Sequence, residues 1–301
     1  MTKSIQLDTV PTNQMHILEN NFLSIKVNSK GAEINSIYNK QTKLEYLWQA
    51  GEAWAKHAPI LFPIVGKLKN DTYQINGKSY ELTQHGFARD LNFELIKQTE
   101  NELIFGLNSS DQTINKYPFN FNLEIIYRLI ENILEVEVKV TNTGNEQMFF
   151  SVGFHPAFKV PIEPHLRYDD YYLEFKEKEN IDRWSIVGGL IGEPYSKVLQ
   201  NENHLPLNYS LFNEDALVFK SLKSSKITLK SDKSVNGLAF FFNNFPFFGI
   251  WAKKNADFVC LEPWHGIADA VESNQQLKNK EGIRSLARNE EFSCGYQVAT
   301  F

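Results

Sequence analysis

The sequence predicts an all-β fold, a large antiparallel β-sandwich with few short helices, and three observations predict it. More than a dozen short apolar or alternating runs are separated by turn residues, whereas helical periodicity is rare. Aromatic residues make up 13% of the chain, with 23 phenylalanines, a bias that suits strands. No low-complexity linker, heptad pattern or fixed-period repeat divides the 301 residues, so the strands are expected to build one domain over 1–301.

Taken in order, Phe22 to Val27 alternates after its first pair and ends before Gly31, and Ala32 to Tyr38 alternates again. Ile60 to Val65 reads as a short helix. Tyr73-Gln74-Ile75, then Asn76-Gly77, then Lys78 to Leu82 is the strongest hairpin signal, because Asn-Gly supplies the positive φ angles of a two-residue turn. Leu123 to Leu129, a turn at Glu131-Asn132 and Ile133 to Thr141 make a second hairpin. Val136, Val138 and Val140 fall on one face of it, and Glu135, Glu137 and Lys139 on the other, the pattern of an antiparallel sheet wet on one side. Further strands are expected at Tyr171 to Phe175, Ala216 to Phe219, Lys226 to Lys230, Leu238 to Phe242, Phe247 to Ala252 and Phe292 to Thr300. A second weak helix is expected from Asp269 to Leu277.

The run Phe258-Val259-Cys260-Leu261 is apolar throughout and reads as a strand buried on both faces. Pro263 lacks an N–H, so ladder pairing is expected to stop there, with Glu262 at the lip, half out of water. A carboxylate in that position is costly unless something binds it. It is either an ion-pair partner or a proton acceptor facing a ligand.

The net charge of −5 and pI near 5.9 argue against nucleic acid or an anionic membrane as partner. No segment reaches the ~20 apolar residues of a membrane span, and Met1 to Asp8 lacks the apolar core of a secretory signal. The two cysteines, Cys260 and Cys294, form no metal or redox spacing, so two reduced thiols in a cytoplasmic protein, monomer or homodimer, are expected.

Three stretches are too polar for their apolar neighbours: Gln84-His85-Gly86-Phe87-Ala88-Arg89-Asp90, Val152-Gly153-Phe154-His155-Pro156-Ala157-Phe158, and the segment around Glu262. Two histidines and a glutamate at strand ends are an acid/base set for a substrate with exchangeable hydroxyl protons. Each histidine has the plainer alternative of a satisfied core residue. His85, His155 and Glu262 could also meet as a two-histidine, one-carboxylate metal site. No close His pair or His-Glu-x-x-His supports that, and no Gly-x-Ser-x-Gly or phosphate-loop pattern is present. His57, in Lys56-His57-Ala58-Pro59, suits a ligand-orienting position better than a catalytic one.

Four stretches in order, Ala58 to Gly66, Gln84 to Arg89, Val152 to Phe158 and Cys260 to Trp264, resemble the aldose 1-epimerase (mutarotase) family. Within it the likeness is to the LacX-like and hexose-6-phosphate epimerase-like branch. The resemblance implies a β-supersandwich of the galactose mutarotase type that binds a hexose or hexose phosphate, with no metal and no cofactor. It implies Glu262 as general base on the anomeric hydroxyl, His155 as general acid at the ring oxygen, and His85 as a hydrogen-bonding partner near that oxygen. Asp215, Trp264 and His57 are implied as substrate-binding residues, with Phe87 or Phe245 completing the aromatic wall. Where galactose mutarotases carry two glycines after the first histidine, this chain has Gly86-Phe87-Ala88-Arg89, with Gly66-Lys67 upstream. Lys67 and Arg89 could meet a phosphate on the substrate; Arg89 could equally pair with Asp90 or Glu262. A non-catalytic carbohydrate-binding sandwich is the alternative to the enzyme.

Overall fold

The computed structural model describes residues 13–301; the segment Met1 to Asp8, expected to hold no secretory signal, lies outside the described residues. Antiparallel sheet dominates, as expected, and the helical segments are single turns such as Asp111–Ile114 and Leu277–Asn279. Among the described residues no helix is long and apolar enough to cross a membrane.

Eight strands bear on the site: β1 (Ile60–Leu61), β2 (Val152–Phe154), β3 (Ala157–Lys159), β4 (Tyr171–Val187), β5 (Leu190–Pro206), β6 (Leu217–Lys220), β7 (Phe247–Trp251) and β8 (Phe258–His265). They lie in a 15-stranded sheet in the order β1-β2-β8-β7-β6-β4. That order continues through Lys226–Ser231, Leu238–Phe242, Glu291–Thr300, Ile133–Asn142, Phe121–Ile130, Glu102–Asn108 and Glu94–Gln98. A four-stranded sheet of Met15–Glu19, Leu23–Asn28, Glu33–Asn39 and Leu44–Glu45 contributes Leu23, Ile25 and Val27 to the same apolar core as Val136, Val138 and Val140.

Both expected hairpins form. Ile75 pairs with Lys78 across Asn76 (φ 50°) and Gly77 (φ 75°), and Ile130 pairs with Ile133 across Glu131 (φ 53°) and Asn132. On the wet face of the second, Arg128 reaches Glu102, Glu135 and Glu137 at 2.7, 2.9 and 2.8 Å.

Three expectations are corrected. Ile60 to Val65 is not helical: Ile60–Leu61 pairs with β2, and Pro63 keeps Phe62 out of the helical region. The carbonyl of Phe62 instead accepts the N–H groups of Phe87 and Ala88 at 3.1 and 3.2 Å. Asp269 to Leu277 is irregular as well, because its backbone pairs with β5: Ile191 donates to the Asp269 carbonyl at 2.8 Å, and Val271 to the Ile191 carbonyl at 3.0 Å.

The third correction concerns Pro263. Pairing does not stop there, and β8 runs on to His265. Successive N–H groups of a strand point to opposite sides. Leu261 donates to the Pro156 carbonyl at 3.2 Å, so the missing N–H of Pro263 faces the same side. There β3 pairs up to Cys260 and β2 begins only at Trp264, so no ladder bond is lost. Glu262 is consequently carried inward and is 2% exposed.

Candidate active site

Strand alternation builds the floor of the site. In β8, Cys260, Glu262 and Trp264 share one face, and their antiparallel partners on β7 are Trp251, Gly249 and Phe247. On the other side Gly153 pairs with Trp264, and two residues on, past the end of β2, comes His155. A Cβ on Gly249 would lie 2.5 Å from the Trp264 ring, and one on Gly153 would lie 2.7 Å from it. The two glycines flanking Trp264 are what let its indole lie down on the sheet.

Above this floor is a cavity of about 480 Å³ whose wall includes His85, His155, Glu262, Asp215, Arg89 and Trp264. Six residues expected at a site, from strands and loops spread along most of the chain, therefore meet. Lys67 and His57 are not among the wall residues. Lys67 packs beneath Gly189 at the turn between β4 and β5. His57 Nδ1 lies 2.9 Å from the Asn35 amide, and its own N–H donates to Glu33 at 2.7 Å. Nor do Phe87 and Phe245 face the cavity: Phe87 packs on Phe62, Tyr117 and Phe121, and Phe245 on Phe154 and His265.

His155 Nε2 lies 3.3 Å from Glu262 Oε2. Trp54 stacks on His155 with centroids 5.0 Å apart, Trp251 meets it edge-on at 5.6 Å, and His85 meets it edge-on at 5.7 Å. No side-chain hydrogen bond from another described residue satisfies the Glu262 carboxylate. Burial, and then the charge of Asp215, push Glu262 well above the usual carboxylate value. The indole N–H of Trp264 lies close enough to temper that shift, yet closes no hydrogen bond. Burial pushes His155 down to about 3. Both shifts disfavour charge and favour a protonated Glu262 beside a neutral His155, a pair with one titratable proton between them. Moving that proton from Glu262 to His155 creates the base and the acid together.

His85 is held differently. The Gly66 N–H donates to its Nδ1 at 3.1 Å, and the His85 N–H donates to the Gly66 carbonyl at 2.9 Å. Nδ1 is therefore an acceptor and the ring proton sits on Nε2, which lies 3.3 Å from the Gln84 side-chain amide and meets its oxygen once that amide is turned over. Burial first, then His155 and Arg89, push its pKa well below the ordinary histidine value, so it is a neutral donor. His85 has φ 68° and Asp215 φ 77°, left-handed conformations that are sparsely populated away from glycine. Arg183 holds the second of these by donating to the Glu214 and Asp215 carbonyls at 2.6 and 2.9 Å.

Of the two partners read from the sequence, Arg89 finds Asp90 and not Glu262, as an ion pair without a hydrogen bond. Its Nη2 donates to the Gln84 carbonyl at 2.7 Å, Asp90 is 3.8 Å from Nε, and Nε has no hydrogen-bond partner. Arg89 Nε, His155 Nδ1 and Trp264 Nε1 are all buried nitrogens on the cavity wall without hydrogen-bond partners among the described residues. Such groups cost about 1–3 kcal/mol each when unpaired, and a ligand rich in hydroxyls could pair them.

Sequence reasoning missed Trp54, Trp251, Lys253 and Lys254, which also line the cavity. The signals were an aromatic within the Gly51-to-Lys56 loop, and a lysine pair directly after the apolar run Phe247 to Ala252. For metal, the donor atoms that converge are those of His155, Cys260 and Glu262, all within 4.8 Å of one another; His85 is not of that group.

A family model described as aldose 1-epimerase matches residues 14–284, and the chain belongs to that family. The chain is 36% identical to the chromosomal LacX protein of Lactococcus lactis over 280 residues, 89% of this chain and 93% of that one. Among solved structures, a galactose mutarotase related enzyme from Lactobacillus acidophilus superposes with TM-score 0.91 and 34% identity, covering 96% of this chain and 97% of the other. A galactose mutarotase-like protein from Lactobacillus casei superposes with TM-score 0.87 and 29% identity, covering 96% and 100%. The fold is accordingly the galactose mutarotase-like supersandwich.

Proposed function

We propose that the protein interconverts the α and β anomers of a hexose or hexose phosphate. The observation that carries this reading is the convergence of His85, His155 and Glu262 on one cavity, with 3.3 Å between the His155 and Glu262 reacting atoms. The anomeric hydroxyl and the ring oxygen are bonded to the same carbon. A base and an acid that serve them must therefore stand side by side, as these do.

In this reading Glu262 removes the proton from the anomeric hydroxyl while His155 delivers one to the ring oxygen, and the ring opens to the aldehyde. The Nε2–H of His85 donates toward the ring oxygen. C1 turns, the proton transfers reverse, and closure on the other face inverts the anomer. The single proton of the pair is returned at the end, so the cycle needs no outside proton. Asp215 and Arg89 bind hydroxyls, and Trp264, Trp54 and Trp251 offer ring faces to sugar C–H groups. Arg89, Lys253 and Lys254 supply the positive charge that a phosphorylated hexose would need; Lys67 and His57 act from outside the wall.

Anomer-exchange NMR on glucose, galactose and their 6-phosphates tests the reading. Exchange above the spontaneous rate on at least one sugar is expected, and Glu262→Gln is expected to lower it by about 10²–10⁴-fold. Sugar binding without acceleration would make the protein a carbohydrate-binding sandwich instead. Any phosphate preference is expected to fall with Lys253→Ala, Lys254→Ala or Arg89→Ala.

A further inference from the structure

We propose that His155, Cys260 and Glu262 form a binding site for a thiophilic divalent cation of the zinc class, and that its occupation blocks the active site. The second half rests on the epimerase reading; the first half does not.

Cys260 and Glu262 are two residues apart on β8, so both side chains project from the same face, and His155 comes over them from the end of β2. One donor atom from each lies within 4.8 Å of the other two. The sulfur, nitrogen and carboxylate oxygen are the donors zinc accepts. With metal–ligand bonds of about 2.0–2.1 Å, a nitrogen and an oxygen on one tetrahedral ion stand about 3.3 Å apart. His155 Nε2 and Glu262 Oε2 are 3.3 Å apart. The same geometry puts sulfur about 3.6 Å from either, so Cys260 needs to close little more than about 1 Å at most.

The three side chains have no other bond that ligation would break, and an ion entering here displaces the protons that burial keeps on Cys260 and Glu262. No hydrogen bond from another described residue holds either ring nitrogen of His155 or the Glu262 carboxylate, and Cys260 is in no disulfide. His85 is not among these donors, and its Nδ1 is taken up by the Gly66 N–H. His155 and Glu262 line the cavity and Cys260 lies behind them at 0% exposure. Three protein ligands with a fourth position open to a cavity is the arrangement of an accessible zinc site. An ion there takes the lone pairs of both proton-handling groups. Anomer exchange then stops for want of base and acid, whichever sugar is offered.

The test uses the full-length protein freed of metal by chelation, titrated with Zn²⁺ or Cd²⁺. One ion per chain is expected to bind, with a thiolate-to-cadmium charge-transfer band in the ultraviolet. Each equivalent of Zn²⁺ is expected to remove one equivalent of anomer-exchange activity, restored by chelator. Cys260→Ser is expected to abolish the band and weaken Zn²⁺ binding by roughly tenfold or more, while Cys294→Ser keeps both. Inhibition is read against each variant's own metal-free rate. A band that persists in Cys260→Ser, or Zn²⁺ affinity unchanged by it, overturns the site. A band lost in Cys260→Ser in a protein without exchange activity would uphold the site and overturn the epimerase reading. Binding at this site that leaves exchange intact overturns the inhibition.

Discussion

The backbone N–H of Gly66 donates to Nδ1 of His85, and this one bond decides which way that imidazole can act. With Nδ1 accepting, Nε2 carries the proton, and burial keeps the ring from taking a second. ¹⁵N NMR of the histidine rings is expected to show His85 neutral and in the Nε2–H tautomer at about pH 6, where a free imidazole is mostly charged. A protonated or Nδ1–H ring would remove its role as donor to the ring oxygen.

The shared proton of His155 and Glu262 sets a second expectation. The active form has one proton on the pair. A further proton arrives only as pH falls toward about 3, the depressed value of His155. The single proton leaves only above the raised value of Glu262. Acidification through the ordinary histidine pKa near 6.5 is thus expected to cost no anomer-exchange rate, the acid-side fall coming only toward the depressed value of His155. A rate that halves as the pH falls through about 6.5 would mean that His155 titrates as a free imidazole.

Gly249→Ala tests the floor. The new Cβ would stand 2.5 Å from the Trp264 ring, with the sheet backbone behind it. Overpacking is expected to cost about 1–3 kcal/mol in thermal or urea unfolding and to raise KM as the indole lifts into the cavity. Unchanged KM would show that Trp264 does not face the sugar.

Behind the cavity wall, Lys280 Nζ lies 2.9 Å from Asp269 and donates to the Ile267 carbonyl at 2.5 Å, with both side chains almost wholly buried. Lys280→Met strands the carboxylate and is expected to cost about 3–5 kcal/mol; adding Asp269→Asn is expected to recover part of it. Denaturant unfolding of the single and double variants measures both.

Acid stability follows from the buried histidines. Folding depresses His85, His155 to about 3, and His265 to about 4, in each case chiefly by burial. Below about pH 6.5 the unfolded chain binds protons that the folded chain refuses. The stability these groups confer is complete above that pH and is lost as pH falls toward 3–4. Glu262 has the opposite sign: its raised pKa contributes stability in acid that fades as pH rises. The melting temperature is expected to drop between about pH 6.5 and 4, less steeply in His265→Gln; parallel slopes would contradict the His265 share.

Much of this was legible because strand alternation and Asn-Gly turns act locally. Val136, Val138 and Val140 announce their burial within one strand, and the Asn76-Gly77 turn needs no tertiary partner. Glu262 was legible as an anomaly but misplaced, since its depth depends on where β2 and β3 break. Tyr171 to Phe175 was read as a short strand, whereas β4 runs 17 residues and pairs with an equally long β5. The charged run from Lys176 to Glu179 and Pro194 hide that hairpin, and its five register shifts show why no clean alternation marks it. Trp54 and Lys253 carry no periodic signal; only the closing of loops onto the sheet brings them to His155 and the cavity.

The long hairpin separates two tasks. Ile186, Gly189 and Ile191, near its turn, form one side of the cavity, while the proton-handling groups reside on β8, the end of β2 and the loop at His85. Mutation of the arm can therefore redraw which substituents a sugar carries into the chamber without disturbing the reaction at its anomeric carbon. Diversification within such a lineage has a ready place to work: the part of the chain with the loosest register and the least chemistry.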